Sequence, residues 1–219
     1  MAVRDNDISL TLSKAIDRPP ERLVLFCALV VFTEQVPSWF TGKIKKVLSG
    51  LSFVLGGAAS GKSVFAEGLI ENSGLRPVYL ATSRVYDAEM QEKVDLHISR
   101  RDARWETFDA PRDVAAVLSC CTSDQAVLLD CATMWLTNVM LDEDDLATAQ
   151  SGFLSALKAC PAPVVVVSNE VGQGIVPENA LARRFREAQG RLNIALAAQA
   201  DCVVHVVAGL PQCLKGEMP

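Results

Sequence analysis

The chain has 219 residues, of which 50% are hydrophobic and 21% charged, and its formal net charge at pH 7 is -5. This composition predicts a globular protein with one ordinary domain, or one domain with an appendage, and excludes a disordered or fibrous chain. The negative charge and the lack of a long basic stripe argue against nucleic acid as a partner. The seven cysteines follow neither a disulfide framework nor a zinc-ligand spacing, so we expect reduced thiols in a cytoplasmic protein.

Residues 1–50 are predicted to form an N-terminal extension of uncertain order, ahead of a domain at 51–219. The apolar run LVLFCALVVF at 23–32 is too short to span a bilayer as a helix. Acidic residues precede this run and no small-residue cleavage site follows it, which disfavours a signal peptide. An extension of uncertain order, or a start codon placed too far upstream, explains the segment at least as well as a membrane anchor, so we do not expect a membrane partner.

From residue 51 onward, short apolar runs alternate with helical patterns. The runs are rich in Val and Leu and nearly continuous in apolarity, as in strands covered on both faces. They lie at 51–55, 77–82, 125–130, 163–169 and 201–207, and the helical patterns lie at 62–72, 87–101, 111–119, 144–159 and 178–199. Pro177 suits the first turn of the last helix. The alternation predicts an α/β fold with a mainly parallel sheet flanked by helices.

The segment GGAASGKS directly follows the first predicted strand and opens the first predicted helix. It matches the pattern G-x-x-x-x-G-K-[ST] at every position. Small residues let successive backbone N–H groups turn inward around an anion, and the helix adds its positive N-terminal end. Lys62 can then bridge the outer phosphates of a nucleotide, and the Ser63 hydroxyl can ligate Mg²⁺. A glycine-rich turn without a ligand is the alternative, but the complete pattern favours a nucleotide-binding P-loop of Gly56, Gly57, Ala58, Ala59, Ser60, Gly61, Lys62 and Ser63.

Asp130 and His97 are further candidates for the chemistry. Asp130 ends the apolar strand AVLLD, where P-loop proteins hold an acid beside their magnesium; a helix N-cap is the alternative. His97 shares a helical face with Val94 and Arg101, and an unperturbed imidazole is largely neutral at physiological pH. Attack by this imidazole on phosphorus would form a covalent phosphoramidate. A surface histidine at a basic helix end is the alternative.

The stretch NEVGQGIVP at 169–177 follows the carboxyl end of a predicted strand, where open parallel sheets bind ligands. Its two glycines allow close backbone approach, and Glu170 can act as a general base or position a substrate. A rigid turn that holds a helix cap is the alternative. His205 lies among valines in a predicted strand, and we interpret it, with Trp105 and Trp135, as a packing residue.

Four segments, in the same order along the chain, resemble the bifunctional adenosylcobinamide kinase / adenosylcobinamide-phosphate guanylyltransferase family of cobalamin biosynthesis. The segments are GGAASGKS, YLATSRVYDAEMQEKVDLHISRR, LLDCATMWLTNVM and VVVVSNEVGQGIVPENALARRFREAQGRLNIALAAQAD. The resemblance extends from Leu51 to Val207, and it implies a P-loop NTPase of RecA-like fold. His97 falls on the position of the family's guanylylated histidine. The first fifty residues and the end after Gly209 match nothing in that family.

The resemblance implies two reactions. ATP or GTP first phosphorylates the aminopropanol hydroxyl of adenosylcobinamide, and GTP then guanylylates His97, from which GMP passes to the new phosphate to give adenosylcobinamide-GDP. Mg²⁺ is expected at Ser63 and Asp130. Family members can form trimers with a site between subunits, so a homotrimer is among the expected states. The nucleotide contacts that the resemblance implies outside the P-loop are Ala81, Thr82, Ser83, Ile98, Ser99, Arg100, Arg101, Asp109 and Asp130.

Two other functions also fit a P-loop, because this motif identifies nucleotide binding and not a reaction. The first is a small-molecule kinase without guanylyl transfer, in which His97 is inert. The second is a nucleotide-dependent binding or switch protein with residual hydrolysis.

Overall fold

The structure, a computed structural model of the chain, describes residue 48, residues 50–84 and residues 101–219. The predicted extension at 1–50 lies outside the described residues, apart from Leu48 and Gly50, and most of the helix predicted at 87–101 does so too. The division into an extension and a domain at 51–219 therefore stays a prediction.

Strands and helices alternate along the described residues. The strands are β1 (Leu51–Gly56), β2 (Arg76–Ala81), β3 (Glu106–Asp109), β4 (Gln125–Asp130), β5 (Val164–Asn169), β6 (Cys202–Val207) and β7 (Leu210–Lys215). The helices are α1 (Lys62–Ser73), α2 (Val114–Cys120), α3 (Ala132–Leu141), α4 (Leu146–Ala159) and α5 (Ala180–Gln199). All five predicted strands are confirmed, as are the four predicted helices that lie within the described residues.

The strands form one sheet in the order β3-β2-β4-β5-β1-β6-β7. Every neighbouring pair is parallel except β6 and β7, which form an antiparallel hairpin. The prediction of a mainly parallel sheet flanked by helices is confirmed. Since β1 lies between β5 and β6, the P-loop that follows it emerges near the middle of the carboxyl edge of the sheet.

The sheet is covered on both faces, which explains the nearly continuous apolar runs. In β5, Val164 and Val166 belong to a core cluster with Leu192 of α5, whereas Val165 and Val167 belong to a second cluster with Ile70 of α1. Each of these side chains is fully buried. Complete burial of one such side chain contributes about 1.5–3 kcal/mol to the free energy of folding. A polar residue buried in these runs would instead be destabilising unless it has a hydrogen-bond partner.

The structure corrects two expectations. Pro177 does not lie in the first turn of α5, because that helix begins at Ala180 with Asn179 as its N-cap. The Asn179 Oδ1 accepts a hydrogen bond from the Ala182 N–H at 3.1 Å, a cap that proline cannot provide. His205 does lie in β6 but is only half-buried.

The tryptophans and cysteines agree with the sequence interpretation. Trp105 and Trp135 are buried, and the Trp135 ring stacks on Phe153 with centroids 4.2 Å apart. Every cysteine among the described residues is a free thiol. None of the helices in the described ranges is long and apolar enough to cross a membrane.

The chain after Gly209, which matches nothing in the resemblance, forms β7. Ala208 and Gly209 have φ values of 51° and 78°, and two successive left-handed residues make the tight turn of a hairpin. At the end of β7, the Lys215 ammonium donates to the carbonyl oxygens of Ala197 and Ala198, each at 3.0 Å. A cation at the carboxyl end of a helix is stabilised by unpaired carbonyls and the helix dipole, so this contact fastens the hairpin to α5.

Candidate active site

The P-loop backbone closes tightly between β1 and α1. A Cβ added to Gly56 would lie 2.4 Å from the Ser60 Oγ and 2.7 Å from the Val206 carbonyl oxygen, so only glycine fits there. Gly61 has a φ of 90°, in the left-handed region that glycine adopts without strain. These two glycines are therefore required by the loop geometry itself.

Lys62 begins α1 and is 9% exposed, and its Nζ donates to the Gly57 carbonyl oxygen at 3.0 Å. An ammonium has three donors, so this contact leaves capacity for phosphate oxygens. The first helical hydrogen bond of α1 runs from the Phe65 N–H to the Gly61 carbonyl oxygen at 3.0 Å. The N–H groups that precede it have no acceptor within the helix and can bind an anion.

Asp130 lies at the end of β4, next to Cys131, and the pKa of the Cys131 thiol is affected by the charged groups around it. Burial and the Asp130 carboxylate together raise the pKa of the Cys131 thiol to about 11, although the Lys62 ammonium acts in the opposite direction. The charges of Asp130 and Lys62 thus both act on the Cys131 thiol.

Thr82 fixes the chain where β4 ends. Its Oγ1 donates to the Cys131 carbonyl oxygen at 2.7 Å and accepts from the Cys131 N–H at 2.8 Å, while its own carbonyl oxygen accepts from the Asn138 Nδ2 at 2.8 Å. Two residues later, the Arg84 guanidinium donates to both carboxylate oxygens of Asp142. The segment with Thr82 and the half-buried Ser83 is thus tied to both ends of α3. Because its hydroxyl is hydrogen-bonded to Cys131, the residue after Asp130, Thr82 holds the end of β4 and can thereby position Asp130.

The predicted residues meet at the carboxyl edge of the sheet, but not at equal distances from the P-loop. In register, Ala81 lies opposite Asp130 on one side and Asp109 on the other. Adjacent strands are about 4.8 Å apart, which places β4 about 10 Å from β1 and β3 about 19 Å away. Asp130 is therefore within reach of a nucleotide in the P-loop, whereas Asp109 is beyond the reach of its phosphates.

Arg101 stacks on an aromatic ring beside this edge. Its Cζ lies 3.3 Å from the centroid of the Tyr79 ring, and its buried Nη1 has no hydrogen-bond partner among the described residues. Burial raises the pKa of the Tyr79 hydroxyl, and so does the Asp130 carboxylate, whereas Arg101 lowers it. The Arg101 guanidinium and the Asp130 carboxylate therefore both act on the Tyr79 hydroxyl. The predicted residues His97, Ile98, Ser99 and Arg100 lie outside the described residues.

Asn169 is a site residue to which the sequence interpretation assigned no role. It ends β5, between the strands of the P-loop and of Asp130, and lies opposite Gly56. Its N–H donates to the Thr133 Oγ1 at 2.8 Å, and its carbonyl oxygen accepts from the Asn193 Nδ2 at 3.2 Å. A polar residue that ends an otherwise apolar strand is the signal that could have identified it, as it identified Asp130.

Asn193 belongs to a buried polar network behind Asn169. Its Oδ1 accepts from the Ser168 Oγ at 2.7 Å and from the Gln189 Nε2 at 2.9 Å. The Gln189 Nε2 also donates to the Ser168 Oγ at 2.9 Å. Ser168 and Gln189 are both fully buried, so neither can exchange this partner for bulk water.

We expect Asn193→Leu to lower the free energy of unfolding by about 3 kcal/mol, because the buried Ser168 hydroxyl and Gln189 amide would each lose one acceptor and the Asn169 carbonyl would lose its donor. Urea denaturation measures the change. Ile194→Ala on the same helix is the control, since Ile194 is 72% exposed and surface substitutions change stability by about 0.5 kcal/mol or less. A variant with leucine at this position that unfolds like the wild type would contradict the structural importance of the network.

Two arginines of α5 hold the loop that follows Asn169. Arg186 donates to the carbonyl oxygens of Gly172 and Ile175, and Arg183 donates to that of Pro177 at 2.9 Å. The half-buried Glu170 accepts from the Gly172 N–H. The loop is thus shaped by contacts to its backbone, and Ile175, which is 94% exposed, projects from it.

Comparison with known proteins gives matches to one enzyme family. The profile described as cobinamide kinase / cobinamide phosphate guanyltransferase matches residues 52–214. The bifunctional adenosylcobalamin biosynthesis protein CobP of Pseudomonas aeruginosa is 42% identical over 167 residues, which cover 75% of this chain and 96% of that protein. The bifunctional adenosylcobalamin biosynthesis protein CobU of Salmonella typhimurium is 40% identical over 173 residues, which cover 72% of this chain and 95% of that protein.

Solved structures with a similar fold include two proteins of low sequence identity. The flagellar accessory protein FlaH from Methanocaldococcus jannaschii has a TM-score of 0.46 and 11% identity, over 83% of this chain and 85% of that one. The RadB recombinase has a TM-score of 0.45 and 19% identity, over 73% of this chain and 75% of that one.

The profile match covers most of the chain, and the curated relatives align over nearly their whole length. A P-loop that follows the first strand of a mainly parallel sheet is typical of phosphoryl-transfer enzymes. The chain therefore belongs to the cobinamide kinase / cobinamide phosphate guanyltransferase family.

Proposed function

We propose that this protein phosphorylates adenosylcobinamide with ATP or GTP, and then transfers GMP from GTP to the product through a guanylyl-histidine at His97. The observation that carries the proposal is the complete P-loop at residues 56–63, which directly follows β1 and opens α1. The curated relatives support the substrate, since their names refer to adenosylcobalamin biosynthesis.

In the first step, the hydroxyl oxygen of adenosylcobinamide attacks the γ-phosphorus. The bond from that phosphorus to the β–γ bridging oxygen breaks, and a nucleoside diphosphate leaves. Glu170 is the candidate base for the hydroxyl proton, because it directly follows Asn169 at the carboxyl edge of the sheet. Lys62 and the N–H groups of the P-loop stabilise the charge that develops on the phosphate oxygens.

In the second step, an imidazole nitrogen of His97 attacks the α-phosphorus of GTP, and pyrophosphate leaves. A phosphate oxygen of adenosylcobinamide phosphate then attacks the same phosphorus, the P–N bond breaks, and the free imidazole is restored. Arg101 supports this step with its unused donor, because a guanidinium neutralises phosphate charge and can bind two oxygens at once.

Ser63 and Asp130 fit a magnesium site. Their hydroxyl and carboxylate oxygens are the hard donors that Mg²⁺ prefers, and β4, which ends in Asp130, lies about 10 Å from β1, which leads into the P-loop. The ion would neutralise charge on the nucleotide phosphates when it is bound. A homotrimer, a cytoplasmic location and the lack of a nucleic-acid partner remain parts of the proposal.

The proposal is tested with GTP labelled at the α-phosphate. We expect the purified protein to take up label in the presence of magnesium, and the label to be removed by acid and to resist alkali, as a phosphoramidate does. His97→Ala is expected to abolish the labelling, whereas His205→Ala, the matched histidine variant, is expected to retain it. A simple kinase would phosphorylate adenosylcobinamide without becoming labelled, and a switch protein would bind GTP and do neither.

A further inference from the structure

We propose that Arg186 is a positioning residue for the phosphorylation step alone, because it fixes the loop that orients the Glu170 carboxylate. The loop comprises residues 170–177, which follow β5 and precede α5, and we call it the Glu170 loop. The inference rests on the proposed function, in which Glu170 takes the proton of the attacking hydroxyl. It separates residues that serve one of the two proposed reactions from residues that serve both.

The Glu170 loop is joined at its first residue to the P-loop, which forms the proposed phosphate cradle. The Glu170 N–H donates to the carbonyl oxygen of Gly56, the first residue of the P-loop, at 2.9 Å. Asn169, which precedes Glu170, lies opposite Gly56 in the parallel ladder of β5 and β1. The backbone of Glu170 is therefore fixed beside the cradle, whereas the direction of its side chain depends on the residues that follow.

Gly172 connects the Glu170 carboxylate to α5. The Gly172 N–H donates to this carboxylate, and the Gly172 carbonyl oxygen accepts from Nη2 of Arg186. Nη1 of the same guanidinium donates to the Ile175 carbonyl oxygen at 3.2 Å. Because a guanidinium presents its donors in one rigid plane, it holds the two carbonyl oxygens at fixed positions relative to α5. Arg186 thereby fixes the residue whose N–H orients the Glu170 carboxylate.

Apolar packing contributes little to the order of the Glu170 loop. Residues 172–176 are all exposed, and the side chains of Ile175 and Val176 are 94% and 66% exposed. A segment with few buried apolar contacts opens locally at a low cost in free energy. The hydrogen bonds from Arg186 are therefore a main restraint on the middle of this loop, and their loss should release the carboxylate without unfolding the domain.

The three nucleophiles of the proposed reactions differ in their need for a base. The hydroxyl of adenosylcobinamide has to lose its proton as the oxygen attacks phosphorus. The His97 imidazole attacks with the lone pair of a neutral ring nitrogen, and the phosphate of adenosylcobinamide phosphate is already an anion. Only phosphorylation therefore needs the carboxylate that Arg186 positions, whereas Lys62 and the P-loop serve both reactions with nucleotide.

The test measures two rates: transfer of label from a γ-labelled nucleoside triphosphate to adenosylcobinamide, and uptake of label from α-labelled GTP by the protein. We expect Arg186→Ala to lower kcat for phosphorylation about 10²-fold, the cost of a misplaced catalytic group, and to leave the nucleotide KM and the uptake of label unchanged. Arg186→Lys should recover part of kcat, because an ammonium still donates to a carbonyl oxygen. Arg191→Ala on the same helix is the matched control, since its side chain is 75% exposed; neither rate should change.

Gly172→Ala displaces the same carboxylate without altering α5, and it replaces Arg186→Ala if that variant fails to fold. A Cβ added to Gly172 would lie 2.7 Å from the Glu170 Oε1, which is the end of a flexible side chain and can move aside. We expect phosphorylation to slow and the uptake of label to persist. Gly190→Ala is the matched control, since no atom lies within 4 Å of a Cβ added there.

A double variant distinguishes positioning from a general structural role. In a protein that already carries Glu170→Gln, Arg186→Ala should lower kcat no further, because the side chain that it positions is no longer a base; independent losses would add. Additive losses, an equal loss of both rates, or unchanged kcat in Arg186→Ala or in Glu170→Gln would contradict the inference and leave the two proposed reactions intact. A wild-type protein that neither phosphorylates adenosylcobinamide nor takes up label would contradict the proposed function itself.

Discussion

Lys62→Met is expected to lower kcat/KM for the phosphorylation of adenosylcobinamide by about 10²- to 10³-fold. The Lys62 side chain is nearly buried and its ammonium donates to the Gly57 carbonyl oxygen within the P-loop, so it can stabilise the charge that develops on the transferred phosphate. Methionine has a similar length and keeps the apolar part of the side chain. Release of nucleoside diphosphate in the presence of adenosylcobinamide measures the effect.

Lys158→Met is the matched control for this variant. Lys158 lies in the last turn of α4 and is exposed, so its loss should leave kcat/KM unchanged. Thermal unfolding of both variants separates a loss of catalysis from a loss of fold. Full activity in the Lys62 variant would contradict the assignment of Lys62 to the phosphate site, and with it the proposed role of the P-loop.

Gly56→Ala is expected to lower the free energy of unfolding by about 3 kcal/mol. The added methyl group would lie 2.7 Å from the Val206 carbonyl oxygen, a backbone atom of a fully paired strand that cannot move aside, and 2.4 Å from the Ser60 Oγ. Any relief of this overlap must push β6 away from β1 or displace Ser60 within the cradle. We therefore expect GTP affinity to fall together with stability, as measured by chemical denaturation and equilibrium binding.

Gly57→Ala separates the effect on stability from the effect on GTP affinity. No atom lies within 4 Å of a Cβ added at Gly57, so the free energy of unfolding should change by less than about 1 kcal/mol. The same methyl group would project from the loop that is proposed to surround the phosphates, so GTP affinity should still fall. Equal stability losses in the two variants would contradict the steric account of Gly56.

The central strands could be predicted from the sequence because both of their faces are buried. Runs such as Val164 to Val167 leave no polar face, and this pattern is specific to covered parallel strands. The edge strands β3 and β7 escaped prediction because every residue in them is exposed and no apolar pattern marks them. The sequence pattern did not predict helix α3, because this helix is buried over much of its circumference. A helix buried in this way has no clear division into a polar and an apolar face.

The parts of the candidate site that depend on neighbouring residues could be predicted from the sequence, whereas those that depend on distant residues could not. The P-loop could be predicted because its geometry depends on a few consecutive residues, and Asp130 because parallel strands end at one edge. The distance of Asp109 from the cradle depends on the strand order, which the sequence does not reveal. The anchoring of Asn169 by Asn193 joins residues 24 positions apart in the chain, and it is visible only once α5 has packed on β5.

The position of β1 has a consequence for how the protein folds during its synthesis on the ribosome. Its first residue, Leu51, donates its backbone N–H to the carboxylate of Asp201, 150 residues later in the chain. Both neighbours of β1, which are β5 and β6, begin more than 100 residues later in the chain, so this apolar strand lacks its partners until they have been translated. Such distant pairing slows folding and leaves nascent chains prone to aggregate, and we expect prematurely terminated chains that lack β6 to be unable to bind nucleotide.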